Sequence, residues 1–244
     1  MRVAQGLDLQ VAVSKIGKYS TSESGDSVEM IERPQGGLSV VLADGQRSGR
    51  AAKLISNIAV RKILSLLSDG VRDGAAARAA HDYLRTIRQG QVSAEVSMIS
   101  ADLETETIVV SRNSRCPVLL VQLDDGVWQS RLIDEPGEPM GIHTRTKPII
   151  TEFAIRQDIY VVLFSDGILA AGVRRGVTFD IEEFVCQRLN GEPVEALVLA
   201  DAILARAVEL DEGRPADDAS VIVLMVRPVT NGDTVRRMTV RFPI

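Results

Sequence analysis

Three acidic positions in this sequence stand beside runs of apolar residues. Asp44 directly follows the run 38–43, Asp166 follows the run 159–164 after one serine, and Asp217-Asp218 come shortly before the run 221–226. Short apolar runs are typical of buried strands, and functional side chains are often grafted onto strand ends. The sequence therefore predicts a cluster of carboxylates where three strands begin or end.

Asp44 and Asp166 are each followed by glycine, and Asp-Gly is also an ordinary turn signal. A turn remains the alternative interpretation of both pairs. The long apolar run ahead of Asp44 and of Asp166 separates them from the other Asp-Gly pairs, which we interpret as turns: Asp69-Gly70, Asp73-Gly74 and Asp125-Gly126.

A fourth acid, Asp26, joins this group through a predicted hairpin. Residues 27–33 and 38–43 both have strand patterns, and the turn signal Pro34-Gln35-Gly36-Gly37 separates them. The two strands of a hairpin run antiparallel, so the start of the first lies beside the end of the second. Asp26 and Asp44 are therefore expected at the same end of one sheet.

Carboxylate oxygens are the ligands that Mg²⁺ and Mn²⁺ prefer in proteins. A zinc site is disfavoured, because His81 and His143 stand apart from the acids and the chain has two cysteines, interpreted as buried thiols. Two hard cations that share a carboxylate can hold a hydroxide in line with a phosphorus atom. The acids thus indicate metal-assisted hydrolysis of a phosphate ester.

Strands and helices are grouped rather than alternating along the chain. Helices are predicted at residues 49–67, 74–88, 180–189 and 193–210. Strands are predicted at residues 11–16, 27–33, 38–43, 95–103, 107–113, 117–123, 127–133, 151–155, 159–164, 220–227 and 235–242. The four strands from 95 to 133 are expected to form a meander, and 151–155 to pair with 159–164. This grouping favours an α+β fold with two antiparallel sheets face to face and helix pairs outside.

Composition narrows the functional classes. The chain has 244 residues and a formal net charge of −5, which argues against general binding of nucleic acid. No apolar run approaches the roughly 20 residues of a membrane helix, and the first ten residues have no signal-peptide core. We expect a cytoplasmic protein with no membrane partner; the sequence leaves the oligomeric state open.

Four short motifs, taken together and in order, resemble the PPM family of metal-dependent serine/threonine protein phosphatases, in its SpoIIE-like bacterial branch. They are Ser24-Gly25-Asp26-Ser27, Val41-Leu42-Ala43-Asp44-Gly45 with Ser48-Gly49 following, Leu163-Phe164-Ser165-Asp166-Gly167, and Asp217-Asp218-Ala219-Ser220. The resemblance covers nearly the whole chain. It implies an αββα sandwich with two ions, Mn²⁺ or Mg²⁺, bound at one end of the sheets.

The resemblance also implies a role for each member of a metal-binding set: Asp26, Asp44, Gly45, Asp166, Asp217 and Asp218. Asp44 would bridge the two ions, and the carbonyl of Gly45 would help to bind one of them. Asp166 and Asp217 would hold the first ion, with Asp218 as the register alternative to Asp217. Asp26, which precedes the others in the sequence, would act on the second ion, directly or through water.

The chain departs from the family pattern just after Asp44. Gln46 stands where many eukaryotic members have a histidine that is a proposed proton donor, and Arg47 stands where many members have glycine. The upstream arginine that holds substrate phosphate in eukaryotic members would fall near the uncharged Thr21. Our hypothesis is that Arg47, at a helix start, binds the phosphate instead. The alternative is that Arg47 points to solvent or pairs with a nearby acid.

SpoIIE-like phosphatases usually remove phosphate from serine or threonine of small regulatory proteins, often STAS-type anti-sigma antagonists or stressosome components. The resemblance therefore implies a single phosphatase catalytic domain over residues 1–244, with a phosphorylated regulatory protein as substrate and partner. Two alternatives stay open. One is a pseudophosphatase that binds a partner without efficient catalysis; the other is a phosphatase for a small phosphate ester.

Overall fold

Two five-stranded antiparallel sheets form the centre of the protein. The structure is a computed structural model that describes residues 6–190, 193–229 and 235–241. In that part of the chain the strands are β1 (Leu7–Ile16), β2 (Asp26–Glu32), β3 (Gly37–Gly45), β4 (Ala94–Asp102), β5 (Thr107–Asn113), β6 (Val118–Asp124), β7 (Val127–Ile133), β8 (Ile149–Ala154), β9 (Ile159–Phe164) and β10 (Ala219–Pro228). The first sheet has the order β1-β10-β9-β6-β7 and the second β2-β3-β4-β5-β8.

Helices cover the outer faces of both sheets. They are α1 (Gly49–Ser68), α2 (Asp73–Ile87), the single turn α3 (Asp166–Leu169), α4 (Ile181–Leu189) and α5 (Ala196–Leu210), with a 3-10 turn at Val173–Arg175. This confirms the predicted α+β sandwich. In the described residues, no helix is long and apolar enough to cross a membrane.

The period of two along each strand explains why the sheets stack as they do. In β3, Val40 and Leu42 face the other sheet, whereas Val41 and Ala43 face α1 and α2. The same division holds for β9, where Val161 lies between the sheets and Val162 packs toward α5. Each fully buried Val or Leu contributes about 1.5–3 kcal/mol of transfer free energy, so both faces of the central strands stabilise the fold.

Two pairings predicted from neighbouring positions in the sequence are wrong. Residues 95–133 do not form one meander, because β4 and β5 belong to one sheet and β6 and β7 to the other. Likewise β8 pairs with β5, and β9 pairs with β6 and β10, so β8 and β9 are not partners. The central strands are apolar on both faces, so their patterns carry no information about which strand each one joins.

The strand predicted at residues 235–242 is also wrong for the part that the structure describes. Residues 235–241 are not in a strand; residue 242 and the turn predicted at 231–232 lie outside the described residues. Met238 is 64% exposed and Val240 86% exposed. Alternation of apolar and polar residues makes a strand possible, but a strand also needs a partner edge.

Candidate active site

Three carboxylates lie in one row across neighbouring strands of the second sheet. Asp26 on β2 is the direct partner of Asp44 on β3, and Asp44 is the direct partner of Glu95 on β4. Directly paired residues project to the same face of a sheet. Leu42, two residues before Asp44, belongs to the core between the sheets, so all three acids face that space at one end of the sandwich. The hairpin prediction for Asp26 and Asp44 is confirmed.

The first sheet brings its own acids to the same end. Asp166 is the first residue of α3, just after β9, and Asp217 and Asp218 stand just before β10. β9 and β10 are antiparallel, with Phe164 opposite Val221, so the end of one strand lies beside the start of the other. The Ser220 hydroxyl then donates a 2.6 Å hydrogen bond across the site to Asp26 Oδ2. Carboxylates from both sheets therefore face one another.

Burial and the charges of neighbouring acids both raise the pKa values at this site. Burial raises the pKa of Asp44 to about 9, and the neighbouring charges of Asp26, Asp166 and Glu95 add to the increase. Burial, followed by the charges of Asp217 and Glu95, also raises the pKa of Asp166. Like charges at short range disfavour the ionised form of each group. The site is a place of concentrated negative charge.

Asp26 carries an oxygen that lacks a hydrogen-bond partner. Its side chain is 1% exposed, and burial raises its pKa to about 6 despite the hydrogen bond from Ser220. Oδ1 is buried, and no partner for it lies among the described residues. A buried, unsatisfied carboxylate oxygen is unfavourable by about 1–3 kcal/mol or more, and a cation next to it would remove that penalty.

Asp217 and Asp218 differ in what their oxygens already bind. Asp218 is buried, and it accepts the backbone N–H of Lys18 at Oδ1 and of Gly25 at Oδ2, both at 2.8 Å. Asp217 is half-exposed, with the N–H of Asp218 at 2.9 Å and Lys18 Nζ at 3.7 Å from Oδ1. Asp218 thus fixes the β1–β2 loop, whereas Asp217 retains a carboxylate oxygen with no hydrogen bond to the rest of the described chain.

Gly45 and Gly167 are required by close packing rather than by a turn. A Cβ at position 45 would lie 2.0 Å from the carbonyl oxygen of Ala52 in α1, and one at position 167 would lie 2.1 Å from that of Asp218. By contrast, Gly70 and Gly126 have φ values of +80° and +77°, as expected for turns. The turn interpretation therefore fits Asp69-Gly70 and Asp125-Gly126 but not the two site pairs. It is wrong for Asp73-Gly74, which begins α2.

We predict that Gly167→Ala destabilises the protein. The new methyl group would overlap the backbone of Asp218, and overpacking of this kind typically lowers the free energy of unfolding by about 1–3 kcal/mol, sometimes more. Urea denaturation of the variant and the wild type measures the loss. Gly213→Ala is a control, because its position has open space but a positive φ of +76°, so backbone strain alone is tested there. Equal losses in both variants would contradict the packing explanation.

The two residues that depart from the family pattern occupy different environments. Gln46 is tied to the backbone of Ser93: its N–H donates to Ser93 O at 2.9 Å, and its Oε1 accepts the Ser93 N–H at 3.3 Å. Arg47 is exposed and has a φ of +81°, a left-handed conformation that is unfavourable by about 1–2 kcal/mol for a residue with a Cβ. Strain of this size at a site is a reason to look for a role.

Sequence reasoning missed Glu95. Its Oε2 accepts hydrogen bonds from Ser114 Oγ at 2.7 Å and from the Arg115 N–H at 3.0 Å, so it holds the turn between β5 and β6. Together with Asp44 and Asp166 it lines a small cleft at the centre of the site. An acid at the start of the predicted strand 95–103 was the available signal, but it becomes meaningful only once β4 is known to pair with β3.

Sequence reasoning also missed two lysines that contact the backbone of Asp26. Lys15 Nζ and Lys53 Nζ both donate to the carbonyl oxygen of Asp26, at 2.9 Å and 2.6 Å. Burial and the charge of Lys53 lower the pKa of Lys15. These cations join β1 and α1 to β2 and offset part of the negative charge around Asp26.

The carboxylates at this end of the sandwich are suitable ligands for hard divalent cations, although they do not form a compact metal-binding group in this structure. Within the described ranges, no three His, Cys, Asp or Glu side chains form a compact group that could hold a metal ion. The same acids repel one another, and this repulsion adds to the effect of burial in raising the pKa of Asp44. Carboxylate oxygens are what Mg²⁺ and Mn²⁺ prefer, and the charge of such ions would offset the repulsion.

A comparison with known protein families identifies the family of this chain. Residues 34–227 match the family model described as Stage II sporulation protein E (SpoIIE). The chain belongs to the SpoIIE family. A comparison with curated protein sequences gave no significant match.

Solved structures show the same fold as this SpoIIE-family chain. The PP2C phosphatase domain and a fragment of the regulatory domain of SpoIIE from Bacillus subtilis align with a TM-score of 0.75 at 17% identity. That alignment covers 92% of this chain and 65% of the other, so the chain spans less than two thirds of that structure.

Two further structures with a similar fold contain metal ions. The catalytic domain of the serine/threonine protein phosphatase PstP, in complex with two manganese ions, aligns with a TM-score of 0.67 at 17% identity, covering 91% of this chain and 99% of that one. RsbX in complex with magnesium aligns with a TM-score of 0.67 at 15% identity, covering 89% and 95%.

Proposed function

We propose that this chain is a metal-dependent protein-serine/threonine phosphatase. The observation that carries the proposal is the meeting of Asp26 and Asp44 from one sheet with Asp166 and Asp217 from the other, at one end of the sandwich. The unsatisfied Oδ1 of Asp26 and the membership of the SpoIIE family support it. A charged cluster with strongly perturbed pKa values is more typical of a functional site than of a structural one.

The residues present would accommodate two divalent ions, Mn²⁺ or Mg²⁺. Asp44, in the middle of the cluster, would bridge them, with help from the Gly45 carbonyl; Asp166 and Asp217 would hold the first ion, and Asp26 would act on the second. Asp218 is better suited to fixing the loop that carries Asp26, since both of its oxygens already accept backbone N–H groups. Bound ions would polarise the phosphoryl group and activate the attacking water.

The protein itself would position these groups before substrate arrives. The Ser220 hydroxyl orients Asp26, and Asp218 ties the loop ahead of Asp26 to the start of β10. Glu95 fixes the Ser114 turn beside the cleft. Such prior fixation lowers the reorganisation that the reaction requires, which is the main way proteins assist phosphoryl transfer.

We further propose that residues 1–244 act as one catalytic domain on a phosphorylated regulatory protein, of the STAS-type anti-sigma antagonist or stressosome class. Membership of the SpoIIE family supports a protein substrate rather than a small phosphate ester. The small size of the cleft between Asp44 and Asp166 agrees with this, since it leaves most of a substrate outside the cleft.

Hydrolysis assays test the proposal directly. The purified chain is expected to release phosphate from p-nitrophenyl phosphate and from a phosphoserine peptide when Mn²⁺ or Mg²⁺ is added, and to lose this activity in excess chelator. Readdition of the metal should restore it. Turnover that is equal with and without chelator would contradict a metal-dependent mechanism.

Replacing Arg47 with glycine separates the two interpretations of that residue. Glycine relieves the left-handed strain, so the free energy of unfolding should rise by about 1 kcal/mol. If Arg47 binds substrate phosphate, KM for the phosphopeptide should rise by about tenfold, as the loss of one charge-assisted hydrogen bond predicts. Arg50→Gly is the control, because Arg50 is an exposed arginine three residues on. Unchanged KM and kcat in Arg47→Gly would leave Arg47 without a role in substrate binding.

A partner-binding pseudophosphatase is the second candidate. The feature in its favour is Gln46, whose amide is engaged by Ser93 and cannot donate a proton to a leaving group at neutral pH. Calorimetric titration with Mn²⁺ separates the two functions when combined with the assay above. Metal binding without turnover of any phosphopeptide would favour the pseudophosphatase.

A further inference from the structure

An exposed apolar strip begins one helical turn away from Asp166. α3 starts at Asp166 and ends at Leu169, which is 37% exposed, and the chain continues through Val173 and Val177, which are 55% and 44% exposed. Exposed aliphatic side chains are unremarkable singly, but three in a nine-residue segment that begins three residues after a candidate catalytic acid form a patch. We name Leu169, Val173 and Val177, with Arg174 and Arg175 between them, the rim strip.

Hydrogen bonds hold the rim strip in a fixed shape. The N–H of Val177 donates to the carbonyl of Gly172 at 3.1 Å, which closes the segment into a compact loop. The N–H of Gly172 donates to Asp211 Oδ1 at 2.9 Å, and Asp211 Oδ2 accepts the N–H of Ala216 at 2.7 Å. One buried carboxylate therefore joins the rim strip to the loop that leads to Asp217.

The surface continues onto the β1–β2 loop. Tyr19 is 66% exposed, and its N–H donates to the carbonyl of Pro215 at 3.1 Å. The Arg214 guanidinium lies 5.5 Å from the centre of the Tyr19 ring, a cation–π arrangement. Arg174 donates to the carbonyl of Ala216 at 3.3 Å. The aromatic ring, the rim strip and the loop between them form one continuous face next to the acids.

The charge of this face is opposite to that of the whole protein. The chain has a net charge of −5, yet the face carries Arg174, Arg175, Arg214 and Lys18. Within it, Arg175 pairs with Glu212 and Lys18 with Asp217, so four cations face two anions and the net charge of the named groups is positive. Arginine is also well suited to carboxylate and phosphate oxygens. A cationic face with apolar side chains beside an acidic centre matches a partner that is acidic and partly apolar.

We propose that the rim strip and Tyr19 form the docking surface for the protein substrate, a phosphorylated segment with acidic residues beside the phosphoserine or phosphothreonine and an apolar side chain that packs on Val173. This proposal rests on the proposed function. Complementary charge would steer the acidic segment toward the site, and the apolar contact would hold it while the phosphate reaches the cleft.

The test compares a small substrate with a peptide in matched variants. Val173→Glu and Arg175→Glu place negative charge on the rim strip without touching the proposed metal ligands. Val127→Glu and Arg206→Glu are the controls: Val127 is 58% exposed at the far end of the sheet, and Arg206, like Arg175, is a half-exposed arginine in an ion pair. Thermal unfolding of all four variants checks that each remains folded.

With Mn²⁺, all variants should hydrolyse p-nitrophenyl phosphate at the wild-type rate. For a phosphoserine peptide flanked by aspartates, kcat/KM should fall by about tenfold in Val173→Glu and in Arg175→Glu but not in the controls, since exposed charges act mainly on encounter and weak binding. For the same peptide flanked by alanines the fall should be smaller.

Other outcomes distinguish failure of the docking proposal from failure of the proposed function. If the wild type hydrolyses both substrates and the rim variants match the controls on the acidic peptide, the docking surface is wrong and the proposed function stands. If the wild type hydrolyses neither substrate with metal, the proposed function fails, and the docking proposal fails with it. If Val173→Glu changes only the sedimentation coefficient, the face is a contact between copies of the chain, which also refutes the proposal.

Discussion

Replacing Asp44 with asparagine is expected to lower kcat/KM for p-nitrophenyl phosphate in Mn²⁺ by at least about 1,000-fold, or about 4 kcal/mol of transition-state stabilisation. Asp44 lies between Asp26 and Glu95 in the row of acids, and its pKa responds to acids of both sheets. An asparagine keeps the size of the side chain but loses the charge that would bridge two cations. The assay is steady-state hydrolysis over a series of Mn²⁺ concentrations.

Asp125→Asn is the matched control for that variant. Asp125 also precedes a glycine, but it is exposed in the β6–β7 turn with a φ of +49°, a conformation that asparagine tolerates. Its activity should equal that of the wild type at every metal concentration. Full activity of Asp44→Asn would show that Asp44 is not a metal ligand.

The second large effect concerns stability without metal. The folded state raises the pKa of Asp44 from 3.8 to about 9 and that of Asp26 from 3.8 to about 6. The folded protein therefore binds more protons than the unfolded chain between these values, and the free energy of unfolding decreases as pH rises from about 4 to about 9. Divalent ions bind the ionised carboxylates, so added Mn²⁺ should raise Tm more at about pH 8 than at about pH 5.

Differential scanning fluorimetry over this pH range, in chelator and in Mn²⁺, measures both the pH dependence of stability and the gain in Tm from the metal. Asp44→Asn removes the acid with the larger shift, so its stability in chelator should vary less with pH than that of the wild type. The same variant should gain less Tm from Mn²⁺. A wild-type Tm in chelator that rises steadily toward about pH 8 would be inconsistent with uncompensated, buried carboxylates.

Local patterns in the sequence were sufficient to predict most helices and strands and to place half of the site residues. The apolar runs that end at Asp44 and before Asp166 are β3 and β9, and the Pro34 turn places Asp26 opposite Asp44, as predicted. Hairpin geometry depends on neighbouring residues alone, which is why it could be derived without further information. The resemblance added the expectation that the second pair of acids belongs to the same site.

Contacts between distant strands could not be derived in the same way. β8 is an edge strand with alternating exposed and half-buried residues, and nothing in its sequence or in that of β5 identifies the other as its partner. The expected meander was wrong for the same reason: the pairing of distant strands depends on the whole fold and not on local pattern. Glu95 became significant only through the pairing of β4 with β3. The contrast between Asp217 and Asp218 depends on the β1–β2 loop, whose amides bind Asp218.

Isothermal titration of the chelator-treated protein with Mn²⁺ tests most directly whether acids of the two sheets share a metal site. The wild type should bind two ions, whereas Asp26→Asn from one sheet and Asp166→Asn from the other should each lose at least one, with affinity for any remaining ion reduced by about tenfold or more. Asp125→Asn should bind as the wild type does. Identical titrations for wild type, Asp26→Asn and Asp166→Asn would contradict a shared metal site.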